Sequence, residues 1–378
     1  MTAAHGIKHL VLLGLGRSHI QVLRGLADSR PADLHLTVIA PRPQALMSPM
    51  VPGFVAGHYT LAQCQMPLDG LLERSGAHFV AGSVAAIDAH AQRVTLASGD
   101  TVAWDWLGIN TGPVMDREKI ESAMPGARRH ALFVRPLDGF VHLWPQVLAM
   151  ATDRAIHLAL IGAGATGVEL ALAAAQALRG PGVAPGSHVS LLSGGAAPAA
   201  TLPGPMQVRA LRALRRLGVT VIPETCTGLE AGAIHLSNGA RLVCDAPLLA
   251  IGPQAPAWLA DSGLALDDDG FIAVNAFQQS TSHPRVFAAG DVASRADAPH
   301  TRDALHAHRA GAPLLANLRA AMADQTLMPH PPPRRVLQFL ACGERRAIGG
   351  WGGLGFEGGW VWRWKDQIDR AFVARHAA

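Results

Sequence analysis

Two stretches of the chain repeat one pattern, in which a continuous apolar run is followed by a glycine-rich turn and a helical period. The first apolar run covers residues 8–13, and such a run is typical of a parallel strand buried on both faces. The turn Gly14-Leu15-Gly16 follows, then a helical pattern over 18–26 and a second apolar run over 34–39. The pattern predicts a strand, a glycine turn, a helix and a second strand.

The same order of elements returns in the middle of the chain. Residues 156–161 form the apolar run, 162–167 the glycine turn, 168–178 the helical segment and 189–192 the next apolar run. The apolar stretch from 157 to 178 is long enough to span a bilayer. Its glycines and its one carboxylate favour a buried strand, turn and helix instead.

Each unit also closes in the same way, with an apolar strand that ends in glycine before a loop containing proline. These closing strands are 106–112 in the first unit and 248–252 in the second. Because the two units match over a long distance, whereas a solenoid has much shorter repeats, the sequence predicts two related nucleotide-binding domains in an α/β fold.

A further helix is predicted over 203–219, with Val208, Leu211 and Leu214 on its apolar face. Four arginines lie on the other side of this helix: Arg209, Arg212, Arg215 and Arg216. A solvated helical face accounts for these charges better than a phosphate site does. A stiff proline-rich linker at 328–333 then separates the last fifty residues, which are rich in glycine and tryptophan.

Length and composition predict a folded protein of more than one domain. The chain has 378 residues, enough for two or three domains of about 100–200 residues each. Hydrophobic residues make up 49% of it and charged residues 16%, which excludes a disordered protein. The net charge of +4 lies entirely within 329–378, where eight basic and four acidic residues occur. A broadly basic nucleic-acid binder is therefore excluded.

The cysteines exclude two further classes of protein. They stand far apart, at Cys64, Cys226, Cys244 and Cys342. This spacing excludes a disulfide-stapled secreted fold and a zinc ribbon, and it favours a reducing cytoplasm. The first residues do not form the charged and apolar regions of a signal peptide.

The second glycine turn carries the strongest chemical signal in the chain. Gly162, Gly164 and Gly167 form a GxGxxG pattern between a predicted strand and a predicted helix. The first glycine permits the tight turn, the second lets the backbone approach a pyrophosphate, and the third lets helix and strand pack closely. The helix N-terminus then offers N–H groups and a positive dipole end to the phosphates.

The first turn departs from this pattern, because His19 stands at the third glycine position. Both units also lack the acid that usually follows the second strand, where Ala40 and Ser193 stand instead. A carboxylate there would bind the ribose 2′-hydroxyl and repel a 2′-phosphate. The choice between NADH and NADPH therefore stays open.

A third signal is the short apolar strand at 286–291, which ends in Gly290-Asp291. A helix is predicted from Thr301, a good N-cap, over 302–318, and its N-terminus could stabilise an anionic ring. The histidines at positions 306 and 308 do not share a face of this helix, so no metal site is expected.

These motifs together resemble the flavoproteins with two dinucleotide-binding domains, which bind FAD in the first domain and NAD(P)H in the second. The segment 47–59 and the helix 302–318 resemble type II NADH dehydrogenases and sulfide:quinone reductases. The turn 14–19 and the C-terminal segment 360–370 are still more similar to the flavoprotein domain often fused to selenide,water dikinase. The absence of paired cysteines rejects the disulfide reductase branches.

The resemblance implies roles for individual residues. The expected FAD ligands are Gly14, Gly16, Ser18, His19, Arg42, Pro49, Thr111, Gly112, Gly290, Asp291 and Arg302. The expected NAD(P)H ligands are Gly162, Gly164, Thr166, Gly167, Glu169 and Gly252. Glu169 would position the nicotinamide, and the chemistry would otherwise belong to FAD.

The resemblance also implies a domain organisation and an activity. An FAD domain of residues 1–113 and 271–325 would be split around an NAD(P)H domain of 114–270, with a C-terminal domain at 326–378. Hydride would pass from NAD(P)H to FAD N5 and the electrons to an acceptor, with a quinone as the first expectation. The alternatives are a sulfide- or selenium-handling flavoprotein, linked by analogy to the dikinase, and a non-catalytic FAD-binding redox partner.

Two features of the C-terminal domain bear on the acceptor and the location. Cys342 stands where sulfide:quinone reductases have a reactive cysteine, but its apolar neighbours favour a small core residue. On a helix from about 362, an apolar stripe is surrounded by Arg363, Lys365, Arg370 and Arg375. The stripe consists of Trp364, Ile368, Ala371 and Phe372. Packing of this stripe on the body, with Asp366 and Arg370 paired, is favoured over contact with the inner face of a membrane.

Overall fold

The computed structural model describes residues 7–299, 304–331 and 336–376 of the chain. Its strands, in chain order, are β1 (Lys8–Leu13), β2 (Leu34–Ala40), β3 (Gln44–Leu46), β4 (Gln65–Pro67), β5 (Ala77–Ala81), β6 (Val84–Asp88), β7 (Arg93–Leu96), β8 (Thr101–Ala103), β9 (Trp106–Ile109), β10 (Leu132–Phe133), β11 (His157–Ile161), β12 (His188–Leu192), β13 (Thr220–Ile222), β14 (Cys226–Glu230), β15 (Ala233–Leu236), β16 (Arg241–Val243), β17 (Ala246–Leu249), β18 (Ile272–Ala273), β19 (Val286–Ala288), β20 (Ala293–Ser294), β21 (Gln338–Ala341), β22 (Ala347–Trp351) and β23 (Leu354–Gly358). Its helices are α1 (Arg17–Asp28), α2 (Val51–Val55), α3 (Leu61–Cys64), α4 (Asp69–Arg74), α5 (Arg117–Ala123), α6 (Ala127–His130), α7 (Leu137–Asp153), α8 (Ala165–Ala177), α9 (Gly204–Arg216), α10 (Ala304–Met322) and α11 (Gly359–His376).

Two parallel sheets of five strands each form the body of the fold. The first has the order β19-β9-β1-β2-β5, and the second has the order β10-β17-β11-β12-β13. In both, the strand before the glycine turn lies at the centre, with its successor on one side and the closing strand on the other. The predicted α/β fold with two Rossmann-like units is confirmed.

The second sheet is inserted in the first along the chain. Strands β10 to β17 lie between β9 and β19 in sequence, yet β19 pairs with β9 in the first sheet. In the described residues, three antiparallel sheets of three strands accompany the two large ones, namely β6-β7-β8, β14-β15-β16 and β21-β22-β23, together with the two-stranded sheets β3-β4 and β18-β20. The exact boundaries between the domains stay a prediction.

The alternation of side chains along β1 explains why this strand is apolar on both faces. Leu10 and Leu12 join a core cluster with helices α1 and α10, which cover one face of the first sheet. Val11 and Leu13 join a different cluster on the opposite face, with residues of β7 and of β19. Because successive side chains of a strand point to opposite faces, a strand covered on both sides must be a continuous apolar run.

Helix α9 presents a different face to the core from the predicted one. Leu214 is buried as expected, but Val208 is 49% exposed. The buried face consists of Met206, Ala210, Ala213 and Leu214. Strand β22 causes this rotation, because a Cβ added at Gly350 would lie 2.2 Å from the sulfur of Met206. The sequence could not show that a C-terminal strand covers this side of α9.

The prediction that the apolar stripe of the C-terminal helix packs on the body is confirmed only in part. Helix α11 does pack on the body, but Trp364 and Ile368 are 40% and 44% exposed, and Phe372 alone of the stripe is buried. Lys365, which was expected at the surface, is buried instead. The expected pair of Asp366 with Arg370 is present, at 2.8 Å.

None of the helices in the described ranges combines the length and the apolar character that a membrane span requires.

Candidate functional site

The three glycines of the second turn meet three different steric demands. Gly162 has φ +109°, and a Cβ there would lie 2.6 Å from the carbonyl oxygen of Ala250. At Gly167 a Cβ would lie 1.9 Å from the carbonyl oxygen of Gly162, so helix α8 sits directly on the turn. Around Gly164 no atom lies within 4 Å of an added Cβ. The backbone of Gly164 therefore borders open space at the N-terminus of α8, as pyrophosphate binding requires.

The first turn is built around Asn110, which follows β9. A Cβ at Gly14 would lie 2.6 Å from the carbonyl oxygen of Asn110, and one at Gly16 would lie 2.2 Å from its side-chain oxygen. The Asn110 amide donates to the carbonyl of Ala289 at 2.6 Å, and its oxygen accepts from the N–H of His19 at 3.3 Å. The N-cap Gly16 offers no side-chain hydrogen bond. Asn110 therefore caps α1 from a neighbouring strand and joins it to the end of β19.

The side chain of His19, a predicted FAD-binding residue, lies beneath the first turn. The imidazole is completely buried between α1 and the sheet, where its Nδ1 donates to the carbonyl of Gly14 at 2.8 Å. A Cβ at Gly108 would lie 3.0 Å from Nε2, so the missing side chain of Gly108 makes room for the ring. Burial lowers the pKa of His19 to about 4, and the ring is therefore neutral. The imidazole stabilises the first turn through its hydrogen bond to Gly14.

The Ser18 hydroxyl is also directed away from the space above the turn. It donates to the carbonyl oxygen of Ala307 at 2.7 Å and so fastens α1 to α10. Only the backbone N–H of Ser18 stays available for a phosphate at this helix N-terminus.

A cleft of about 510 Å³ brings predicted residues from both units together. Asp291 follows β19 of the first sheet, and Thr166 and Glu169 belong to the first turns of α8 in the second unit. Pro49 lines the same cleft from the segment before α2. The cleft lies at the ends of both sheets where α1 and α8 begin, which is where nucleotide cofactors bind in open α/β folds. Its apolar lining includes Val51, Leu137, Leu170, Leu202, Phe339, Ile368 and Phe372.

Glu169 is the carboxyl group of the cleft whose ionisation the protein perturbs most clearly. Burial raises its pKa to about 7, while the charge of Lys365 and a hydrogen bond from the Ala341 N–H act in the opposite direction. That hydrogen bond measures 2.7 Å and joins α8 to β21. A carboxyl group with this pKa exchanges its proton readily at neutral pH.

A buried ion network on α11 closes the other side of the cleft. The Lys365 ammonium donates to Asp369 at 2.8 Å and to the carbonyl of Pro49 at 2.6 Å. Arg17 approaches Asp369 at 3.7 Å, and its guanidinium lies over the ring of Phe372. Because buried charges are stable only when they are paired, this network explains why α11 turns its charged face inward. It also fixes the C-terminal helix against the glycine turn of α1.

Arg135 places a further cation in the cleft, next to the start of α7. Burial lowers the pKa of this guanidinium, and the nearby charge of Asp291 acts against the shift. The two residues come from different sheets, since Arg135 follows β10 and Asp291 follows β19. Both line the cleft, where their opposite charges interact.

The remaining predicted ligands lie along the edges of the sheets outside this cleft. Arg42 is exposed after β2, and Thr111 and Gly112 follow β9. At Gly112 and Gly252 an added Cβ would meet no atom within 4 Å, so both lie beside open space. Gly290 lies against the Asn110 amide instead. The predicted N-cap Thr301 and the predicted ligand Arg302 lie outside the described residues.

The thiols are buried and free, and no cysteine of the described chain lines the cleft. Burial raises the pKa of Cys342 to about 12, of Cys244 to about 12 and of Cys64 to about 11. Thiols with such pKa values carry almost no thiolate at neutral pH. Within the described ranges, no group of three or more histidine, cysteine or acidic side chains could hold a metal ion.

Sequence reasoning missed Asn110, Arg135 and the pair of Lys365 with Asp369. A signal was available for Asn110, because it is a polar residue directly after the apolar strand 106–109 and before Thr111-Gly112. A signal was also available for Lys365 and Asp369, which stand four residues apart on a helix. Arg135 has no comparable signal.

Comparisons with known proteins agree with this geometry. The pyridine nucleotide-disulphide oxidoreductase family matches residues 30–311. An NADH dehydrogenase-like protein of Mycobacterium tuberculosis is 29% identical over 261 residues, which is 64% of this chain and 61% of that protein. A demethylphylloquinone reductase of Synechocystis is 26% identical over 273 residues, which is 70% of this chain and 65% of that protein. The aligned part is thus less than two thirds of the length of either relative.

Solved structures share the whole fold at low sequence identity. The sulfide:quinone oxidoreductase of Aquifex aeolicus superposes with a TM-score of 0.81, at 17% identity, over 98% of this chain and 91% of that one. This similarity extends the shared architecture to the C-terminal strands and to α11.

Proposed function

The chain belongs to the pyridine nucleotide-disulphide oxidoreductase family, and we propose that it is an FAD-dependent oxidoreductase with NAD(P)H as its reductant. One observation carries this proposal. A single cleft is lined by residues that follow the first sheet and by residues that open the helix after the second glycine turn. A cofactor held by each sheet would meet the other in that space.

The second unit would bind NAD(P)H. The open side of Gly164 and the free N–H groups at the start of α8 suit a pyrophosphate. Thr166 lies in the first turn of the same helix and Glu169 about one turn beyond Gly164, and both line the cleft. The nicotinamide end of a nucleotide that starts at Gly164 would therefore reach Glu169.

The first unit fits FAD. Its glycine turn opens α1 as the second turn opens α8, and Gly112 leaves open space after the neighbouring strand. Gly14, Gly16 and the Ser18 N–H would hold the pyrophosphate, and Asp291 would accept hydrogen bonds from the polyol chain. Bound FAD would supply the chemistry of accepting a hydride from NAD(P)H and passing two electrons to an acceptor.

The chain's own contribution would be orientation, exclusion of water and control of one proton. The apolar lining of the cleft keeps bulk water from the reacting atoms. The carboxyl of Glu169 has a pKa of about 7, so it can hold or release a proton at its free oxygen at neutral pH. Its other oxygen is fixed by the N–H of Ala341.

We infer that the acceptor is a quinone. The relative from Synechocystis is named a demethylphylloquinone reductase, and the cleft offers apolar walls from Leu202, Phe339 and Phe372. The sulfide-handling alternative is weakened, because that chemistry needs thiolates beside the flavin and the described thiols are buried with raised pKa values. The link to selenide,water dikinase stays a prediction.

We further propose that the exposed face of α11 contacts a membrane surface. Trp360, Trp364 and Ile368 are 52%, 40% and 44% exposed, and Arg363 and Arg375 flank them. Large apolar and basic side chains together are typical of an interfacial helix. This face borders the cleft through Ile368, so an apolar acceptor could enter from the bilayer.

Vesicles containing one-third phosphatidylglycerol would test the membrane contact by co-sedimentation. The variant with Trp360→Ser, Trp364→Ser and Ile368→Ser should lose binding while its far-UV circular dichroism stays unchanged. Val243→Ser is the matched control, because Val243 is 63% exposed on the second unit. Equal binding by all three proteins would overturn the assignment of this face.

An anaerobic visible spectrum of the purified protein, before and after NADH or NADPH, would test the main proposal. A bound flavin band that bleaches within seconds supports an oxidoreductase that uses NAD(P)H. A flavin that stays oxidised with both nucleotides would refute it and favour the non-catalytic redox partner. A quinone series would then be screened as the oxidant of the bleached protein.

A further inference from the structure

The second unit lacks a charged residue where its fold normally selects the nucleotide. In this fold an acid at the end of the second strand meets the adenosine ribose. Here β12 ends at Leu192, and Ser193-Gly194-Gly195 follows, with both glycines at positive φ. The residues 193–203 contain no Lys, Arg or His, so this loop has no cation for a 2′-phosphate either.

An acidic residue, Glu224, follows the adjacent strand β13 at the same edge. Strand β13 runs parallel to β12, with Leu192 opposite Ile222. Beyond the paired residues, the N–H of Gly194 donates to the carbonyl oxygen of Glu224 at 3.3 Å. Parallel strands lie about 4.8 Å apart. The backbone of Glu224 is therefore one strand spacing from the position where the usual acid is missing.

The side chain of Glu224 is held by Ser237, the residue that follows β15. The hydroxyl of Ser237 donates to one Glu224 oxygen at 2.5 Å and accepts from the N–H of Thr225 at 3.1 Å. The residue is half-buried. No cation of the described chain forms an ion pair with Glu224. Its negative charge is thus positioned and not neutralised by an ion pair.

The arginines of α9 are directed elsewhere. Arg209 donates to the carbonyl of Pro205 and lies beside Gly355 of β23, while Arg216 pairs with Glu344 at 2.8 Å. Arg212 and Arg215 are exposed in the second half of the helix. In the described chain, none of the four forms a hydrogen bond or an ion pair with Glu224 or with residues 193–203.

We propose that Glu224 replaces the missing acid and makes this chain select NADH over NADPH. The inference rests on the proposed nucleotide site of the second unit. Glu224 would accept a hydrogen bond from the ribose 2′-hydroxyl, and its charge would repel a 2′-phosphate that no nearby cation compensates. NADPH, with its 2′-phosphate, would therefore lack the hydrogen bond to Glu224 that NADH makes and would also be repelled by its charge.

Calorimetric titration of the purified holoprotein with ADP-ribose and with 2′-phospho-ADP-ribose tests this without any turnover. The wild-type protein should bind ADP-ribose about tenfold or more tightly, the factor expected for one hydrogen bond to a charged group. Glu224→Gln should reduce the preference to about threefold or less, since the amide keeps the size but not the charge. Glu230→Gln is the control, because Glu230 pairs with Arg241 elsewhere in the same unit.

Three results would count against the inference, and they are distinguishable. Equal affinity of the wild-type protein for both probes would overturn the selection of NADH and leave the nucleotide site intact. An unchanged preference in Glu224→Gln, with unchanged circular dichroism, would overturn the role of this residue alone. No binding of either probe would overturn the nucleotide site itself and with it the proposed function.

Discussion

Replacing Asn110 by alanine should destabilise the first unit by about 2–4 kcal/mol. Asn110 is 4% exposed and makes two buried hydrogen bonds, one to the carbonyl of Ala289 at 2.6 Å and one from the N–H of His19 at 3.3 Å. Truncation leaves both partners buried and unpaired, and each such group costs about 1–3 kcal/mol. The longer bond belongs at the low end of that range. That bond from the His19 N–H also caps α1, and a side-chain cap typically stabilises a helix by about 1 kcal/mol.

Urea unfolding followed by far-UV circular dichroism would measure this loss as a change in the free energy of unfolding. Asn238→Ala is the matched control, because Asn238 is exposed and accepts only from the N–H of Ala240 within its own turn. We expect that control to stay within about 0.5 kcal/mol of the wild-type protein. If Asn110→Ala did the same, the reasoning that Asn110 joins α1 to the sheet would be refuted.

Three other outcomes follow from single side chains. Gly164→Trp should abolish NADH binding in calorimetric titration with unchanged circular dichroism, because an added Cβ meets no atom within 4 Å and the indole would occupy the pyrophosphate space; retained affinity would contradict the assignment of the second turn. Lys365→Met should raise the pKa of Glu169 above its value of about 7, since the ammonium charge lowers that pKa. An infrared titration would measure it from the carboxyl band that disappears in Glu169→Gln. The absence of an upward shift would show that the two groups do not interact. Burial, and then the charge of His188, lower the pKa of His157 below 6.5. The unfolded chain therefore takes up the proton first, and stability falls as the pH drops from about 6.5 through the folded-state pKa. His157→Asn should reduce the difference between the free energies of unfolding at pH 7.5 and pH 5, and an unchanged difference would argue against this coupling.

The two glycine turns could be predicted because their glycines recur at a fixed spacing within a short segment. In the second unit the tight turn, the open approach to the backbone and the close helix–strand contact each fall on a glycine within six positions, although the carbonyl that excludes a side chain at Gly162 belongs to the distant Ala250. The sequence alone therefore identifies Gly162, Gly164 and Gly167 as the turn residues. The closing strands were predictable for a similar reason, since burial on both faces makes a strand uniformly apolar.

The residues that complete the cleft could not be predicted, because their roles depend on partners that are distant in sequence. Asn110 binds a carbonyl 179 residues away, and Lys365 binds a carbonyl 316 residues away. A lysine among tryptophans looks like the polar edge of an amphipathic helix. Only the presence of Asp369 and the carbonyl of Pro49 on the inner side makes burial of that charge favourable.

In each unit the first helix packs on the sheet through one small and one large side chain, and the two units place the small one on opposite sides of this contact. In the second unit the helix contributes Gly167 and the closing strand contributes Leu248, which lies opposite Leu160 of the central strand. In the first unit the equivalent strand position, opposite Leu12, is Gly108, and the helix contributes His19. The imidazole fills the space that the glycine leaves, with Nε2 3.0 Å from the position of an added Cβ. The histidine at the third glycine position is therefore compensated by the neighbouring strand, and the turn above it keeps the geometry that a dinucleotide requires.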